Sequence, residues 1–118
     1  MAEKFLIIGP TSYYGSNFIK LLAEKGAEVS TFSLRRWSQE FVGEPDYVVN
    51  FAAANIVAES WERPTEYLLV NVVAHTELFE VLRKKKIKKY VNVSTPEVYG
   101  SVNAWVTEDQ VMNPSTPY

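Results

Sequence analysis

The sequence predicts an α/β domain of three layers, built on a small, mostly parallel sheet of about four strands. Three observations carry this reading. The short continuous apolar run Phe5 to Ile8, and the apolar middle of Asp46 to Phe51, suit strands covered on both faces. Amphipathic helical stretches alternate with them along the chain. The connections are long enough to join parallel neighbours, which a tight turn cannot do.

Taken in order, Lys4 to Ile8 is the first strand, and Gly9 ends it. Ser16 to Lys25 is the first helix, because Phe18, Ile19, Leu21 and Leu22 recur at helical spacing and Gly26 supplies a stop. Glu28 to Phe32 is β-branched and aromatic enough for a second strand, and Asp46 to Phe51 is the third. Between them, Ser33 to Pro45 has room for a short helix around Trp37 to Val42.

After Pro64 comes the longest helical pattern, with Leu68, Leu69, Val72, Val73, Leu78, Phe79, Val81 and Leu82 expected to face inward. Arg83 to Lys86 charge its last turn favourably. Lys89 to Ser94 is the fourth strand, and from Thr95 the chain reads as loop to Tyr118. The second and fourth strands are then the two sheet edges. Exposed edges invite pairing, so a homo-oligomer or a loosely held C-terminal tail is expected.

The 118 residues, 47% of them apolar, fit one domain spanning residues 1–118. A net charge of −2 gives no global field to attract nucleic acid or an anionic membrane. The sequence has no cysteine, which excludes disulfides, thiolate metal sites and a thiol nucleophile and fits a reducing, cytoplasmic setting. Its first apolar run is far too short for a signal peptide or a membrane span. No metal cluster is expected. His75, the one histidine, reads as surface or helix packing, and Trp37, Trp61 and Trp105 read as packing residues.

GPTSYYG, Gly9 to Gly15, stands between a strand and a helix, the setting that a dinucleotide fingerprint requires. Gly9 can make the tight turn, Gly15 can let the helix approach the strand, and the first free N–H groups of the helix can face a pyrophosphate. Ser12 occupies the middle position, where its side chain narrows the approach but its hydroxyl can donate a hydrogen bond. An ordinary strand-to-helix turn would use the same glycines. Past the second strand come Ser33, Leu34, Arg35 and Arg36, with no acidic residue to meet an adenine ribose. Guanidinium groups match a ribose 2′-phosphate, so NADP is expected ahead of NAD.

Beyond these readings, FLIIGPTSYYGSNF, DYVVNFAA, SWERPTEYLLVNVVAHTELFEVLRK, IKKYVNVSTPEVYG and TEDQVMNPSTPY together resemble the extended short-chain dehydrogenase/reductases of the nucleotide-sugar epimerase/dehydratase kind. The resemblance implies a truncated Rossmann-like fold, a bound NADP or NAD, and a nucleotide-sugar substrate in a longer form. It places Gly9, Ser12 and Gly15 at the three glycine positions, has Thr11, Tyr13 and Tyr14 line the cofactor, and runs Ala52 and Ala53 beneath its adenine-ribose side. Thr95 would hydrogen-bond the sugar 4-oxygen, and Glu97 would be the acid/base of a dehydratase. Tyr118 matches the tyrosine of a Tyr-x-x-x-Lys motif whose lysine falls beyond the last residue. Pro96 replaces a polar residue beside Thr95, and Ala54, Asn55, Ile56, Ala58 and Glu59 replace the polar loop common in dehydratases. The second-strand region is also shorter than is typical.

Three readings follow. The chain is the dinucleotide-binding part of such an oxidoreductase and does not turn over alone, it is a non-enzymatic dinucleotide sensor or interaction module that kept the fold, or it is a complete small oxidoreductase whose active site is assembled between subunits.

Overall fold

The computed structural model describes residues 1–34 and 43–118. Arg35, Arg36, Trp37 and the short helix expected up to Val42 therefore lie outside the described residues. Four strands form one parallel sheet in the order β2-β1-β3-β4, with β1 at Lys4–Ile8, β2 at Glu28–Phe32, β3 at Tyr47–Asn50 and β4 at Lys89–Asn92. β1 pairs in register with both neighbours, Ile8 lying between Phe32 and Asn50. As expected, β2 and β4 are the edges.

Alternation along the central strands creates two cores. Leu6, Ile8 and Val48 face one side with Leu34, Leu78 and Leu82. Ile7 and Val49 face the other with Leu22, flanked by Phe18 and Ile19. The helix carrying Leu22 thus covers one face of the sheet and the helix carrying Leu78 the other, which is the three-layer arrangement. Burying side chains on both faces of one short strand is what makes its sequence read as a continuous apolar run.

The first of these helices, α1, runs Tyr13–Glu24, three residues earlier than the apolar period implies. The reason is Ser12, whose hydroxyl caps the helix by accepting the Gly15 N–H at 2.9 Å, so the glycine turn itself supplies the first helical turn. A further short helix, α2 at Val57–Glu62, follows β3 where the sequence pattern gives no helix. Arg63 pairs with Glu59 and Glu66 at its end, and these exposed pairs contribute little energy each.

The long helix is α3 at Pro64–Leu68, a π-turn at Leu69–Val73 and α4 at Ala74–Leu82 in direct succession. Its buried residues are Tyr67, Leu78 and Leu82. Leu68, Leu69, Val72, Val73 and Phe79, expected inside, are 44–54% exposed. The stretch from Leu68 to Val73 is apolar almost all round, so it has no polar side to fix which face turns inward. Trp61 and Trp105 are also exposed, contrary to the packing role expected of them.

The far end of the sheet is held by Asp46. Its carboxylate accepts the Lys4 N–H at 2.9 Å and pairs with Lys88 at 2.9 Å. The Lys4 backbone bond first, and Lys88 second, hold this carboxyl below its usual value.

Candidate functional site

The carboxyl ends of the strands carry the site, as the topology requires of an open α/β sheet. β1 ends at Gly9, which adopts φ +76 and approaches the chain leaving β3 so closely that a Cβ there would stand 2.8 Å from the Ala52 nitrogen. At Gly15 a Cβ would stand 2.4 Å from the Gly9 carbonyl oxygen. Each position needs glycine, one for its backbone angle and the other for the close approach of helix to turn.

Ser12 is used locally. Its hydroxyl donates to the Gly9 carbonyl at 2.9 Å while accepting from Gly15 N–H, so the donor expected to meet a phosphate is engaged in shaping the turn. Backbone donors remain free in its place. The Tyr13 and Tyr14 N–H groups have no acceptor among the described residues and open the positive end of α1. The two tyrosine rings are exposed and stack edge to face on each other, outside the cleft they were expected to line.

Beside this turn lies a cavity of about 300 Å³ lined by Gly9, Thr11, Ser12, Ser33, Leu34, Phe51, Ala52, Ala53, Asn55 and Val70. A second, of about 270 Å³, is lined by Ala52, Ala53, Asn71, His75, Phe79, Asn92, Val93, Ser94, Thr95 and Tyr118. They share Ala52 and Ala53, so one trough crosses the sheet end from the glycine turn to Tyr118. Of the expected residues, the structure brings Gly9, Thr11, Ser12, Ser33, Ala52, Ala53, Thr95 and Tyr118 together here. Glu97 does not line either cavity; it sits on the 3-10 turn Pro96–Tyr99, where its N–H is capped by Thr95 Oγ1 at 3.3 Å.

Neither cavity is lined by Asp, Glu, Lys or Arg among the described residues. Among the described residues, the polar groups at the glycine turn are backbone N–H donors and hydroxyls rather than charged side chains.

Several residues that carry no motif in the sequence prove central. Asn71, on the π-turn, accepts the Ala54 N–H at 2.8 Å and donates to the Ala54 carbonyl at 2.9 Å and the Tyr118 carbonyl at 3.3 Å. It joins the loop after β3 to the tail. His75, expected to be packing or surface, lines the second cavity, and its Nδ1 lies 2.9 Å from the Val70 carbonyl. Asn50 is 1% exposed, and its Oδ1 accepts the Ala52 N–H at 2.9 Å. Tyr90 and Asn92 complete that network from β4. Burial raises the pKa of the Tyr90 hydroxyl and keeps it a donor. The one signal available in the sequence is that Asn50 and Asn92 are polar residues at the ends of two apolar runs.

The tail returns to this region: Asn113 N–H donates to the Val98 carbonyl at 2.9 Å.

The model of a family described as NAD dependent epimerase/dehydratase matches residues 5–118. A UDP-glucose 4-epimerase of Corynebacterium glutamicum is 30% identical over 138 aligned residues, covering 98% of this chain and 42% of that protein. A dTDP-glucose 4,6-dehydratase of Mycobacterium tuberculosis is 35% identical over 83 residues, 67% of this chain and 25% of that protein. The chain therefore spans less than half the length of these curated relatives. The solved structure of MoeE5 in complex with UDP-glucose and NAD superposes with a TM-score of 0.85 at 26% identity, over 98% of this chain and 44% of that one.

Proposed function

This chain belongs to the NAD dependent epimerase/dehydratase family, and from that premise we propose that it is the dinucleotide-binding part of a nucleotide-sugar oxidoreductase. The observation that carries the proposal is the trough running from the Gly9 turn across Ala52 and Ala53 to Thr95 and Tyr118. In this reading the Tyr13 and Tyr14 N–H groups hold the pyrophosphate, Gly9 and Gly15 let it approach the backbone, and Ala52 and Ala53 form the floor. A nicotinamide dinucleotide, when bound, supplies the hydride acceptor. NADP is favoured over NAD because no acidic side chain lines the ribose end beside Ser33 and Leu34 among the described residues.

Thr95 Oγ1 accepts the Glu97 N–H, which leaves its own proton to donate to a sugar oxygen. Tyr118 lines the same cavity and takes the place of the hydroxyl-proton acceptor. Glu97, off the cavity wall, is the acid/base the resemblance assigns, a role that needs a sugar reaching past Thr95. A phenol holds its proton at neutral pH unless a nearby cation stabilises the phenolate. None of the lysines or arginines lines the cavity among the described residues, so these 118 residues bind without turnover. The exposed stripe of Leu68, Leu69, Val72 and Val73, together with the two sheet edges, points to a homo-oligomer.

Calorimetric titration with NADP and then NAD tests the reading, with UDP-glucose added to the complex. Saturable NADP binding without product formation is the expected result. A folded chain that takes up neither dinucleotide would overturn it and leave the interaction-module alternative in the lead.

A further inference from the structure

The tail that carries Tyr118 is fastened at two places, and one of them depends on a single glycine. Gly100 closes the 3-10 turn Pro96–Tyr99 with φ +69 and ψ −149, a backbone region open essentially to glycine alone. It also lies directly against the returning tail. A Cβ there would overlap the Asn113 carbonyl oxygen, a backbone atom that no rotamer change can move aside. Beside that contact the Asn113 N–H donates to the Val98 carbonyl at 2.9 Å. Residues 101–112 thus form a loop of the Ω kind, whose two ends meet at a neck made by Val98, Gly100 and Asn113. Val102, Trp105, Val111 and Met112 are exposed, so the loop adds little to either core and the neck fixes where the chain leaves it.

From the neck to the cavity the chain is short and stiff. Pro114 and Pro117 have φ fixed by their rings, and each restricts the residue before it, Asn113 and Thr116. Within 113–118 only Ser115 and Tyr118 keep ordinary backbone freedom. At the far end the Tyr118 carbonyl accepts from Asn71 Nδ2 at 3.3 Å, and the half-buried Tyr118 lines the cavity that Thr95 also lines. A semi-rigid arm passes a displacement at one end on to the other instead of absorbing it between them. Thr95 and Gly100 stand at the two ends of one short turn, so the turn that presents Thr95 also anchors the arm that presents Tyr118.

We propose that Gly100 is a positioning residue for Tyr118: by letting the tail lie against the Pro96–Tyr99 turn, it sets the Tyr118 phenol in the cavity lined by Thr95. The inference rests on the reading of Tyr118 as the acceptor of the hydroxyl proton, and it names the device that holds that group in place.

The test places 3-fluorotyrosine at position 118 alone and follows its fluorine resonance in the whole chain. With the ring against a cavity wall, the resonance of the folded chain should be displaced from its position in urea. Gly100→Ala should bring it most of the way back. Asn113→Pro removes the N–H given to Val98 and leaves Gly100 intact; it should do the same, and it decides alone if Gly100→Ala does not fold. Neither residue lines the cavity at the glycine turn, so the calorimetric NADP affinity of both variants should stay within about threefold of the unmodified chain. Gly26→Ala, with φ +72 and open space around its Cβ, controls for backbone strain alone and should leave the resonance displaced.

A resonance that stays displaced in folded Gly100→Ala, or in Asn113→Pro where the first does not fold, would overturn the proposal. So would a return seen equally in Gly26→Ala, which would make it a general loosening, or a resonance already at the urea position in the unmodified chain. A folded chain that binds no NADP, yet loses the displaced resonance in both neck variants, would remove the dinucleotide reading and uphold the positioning of Tyr118.

Discussion

Replacing Gly9 by alanine tests the architecture of the trough most directly. Gly9 has φ +76, and moving an L side chain into that region costs about 1–2 kcal/mol. The new Cβ would also stand 2.8 Å from the Ala52 nitrogen and 2.9 Å from its Cα, both backbone atoms with no rotamer to escape by. Restoring ordinary contact needs a displacement of about 0.6 Å, and forced overpacking of this kind costs about 1–3 kcal/mol. Together the two effects amount to roughly 2–5 kcal/mol, against a total stability of about 5–15 kcal/mol for a domain. Gly9→Ala should therefore still fold, with a lower urea midpoint. Because the displaced Ala52 peptide is the floor shared by both cavities, NADP affinity should fall at least tenfold, about 1.4 kcal/mol. Gly26→Ala is the matched control: Gly26 has φ +72, but a Cβ there meets nothing within 4 Å, so stability should drop by the backbone cost alone and binding should stay. Denaturation curves and calorimetry on both variants decide the matter. Gly9→Ala with unchanged affinity would refute the claim that the Gly9–Ala52 approach shapes the site.

Other consequences follow from single residues. Leu78 is 1% exposed, so Leu78→Ala should cost about 2–5 kcal/mol by chemical denaturation. Leu69→Ser, at a side chain 54% exposed, should change stability by no more than about 0.5 kcal/mol but lower self-association in analytical ultracentrifugation. Asn50→Leu removes the buried acceptor of the half-buried Ala52 N–H and should cost about 1–3 kcal/mol in the same denaturation assay. Asp46 has a depressed pKa in the folded chain, so its contribution to stability is complete above the usual 3.8 and disappears as pH falls through the lower folded value. Denaturation midpoints of Asp46→Asn and the unmodified chain should differ at neutral pH and converge at the acid end; parallel curves throughout would show that Asp46 does not drive that dependence.

The layers, the strand positions and the glycine turn are legible in the sequence because each rests on a local rule. A strand buried on both faces reads as an apolar run, as β1 does, and the β-branched edge strand β2 lies within the limits its composition implies. A position that requires glycine can be recognised without knowing what it packs against, and both Gly9 and Gly15 prove to be such positions. The chain sequence therefore determined the fold class and one end of the site.

What the tertiary structure alone decided were relations between distant residues. The link of Asn71 to Ala54 and of Asn50 to Asn92 joins residues at sequence separations of 17 and 42, and beyond their place at the ends of apolar runs nothing near Asn50 or Asn92 announces the pairing. Ser12 reads as a phosphate donor only while its hydroxyl is taken to be free; the competing local acceptor, the Gly9 carbonyl, becomes visible once the turn is folded. The stretch from Leu68 to Val73 is apolar but for Asn71, so periodicity leaves its rotation open, and in the folded chain Asn71 is the residue that turns to the loop after β3. Short-range preferences are set by steric and hydrogen-bonding limits within a few residues, whereas the direction in which a side chain finally donates is set by whatever the fold brings opposite it.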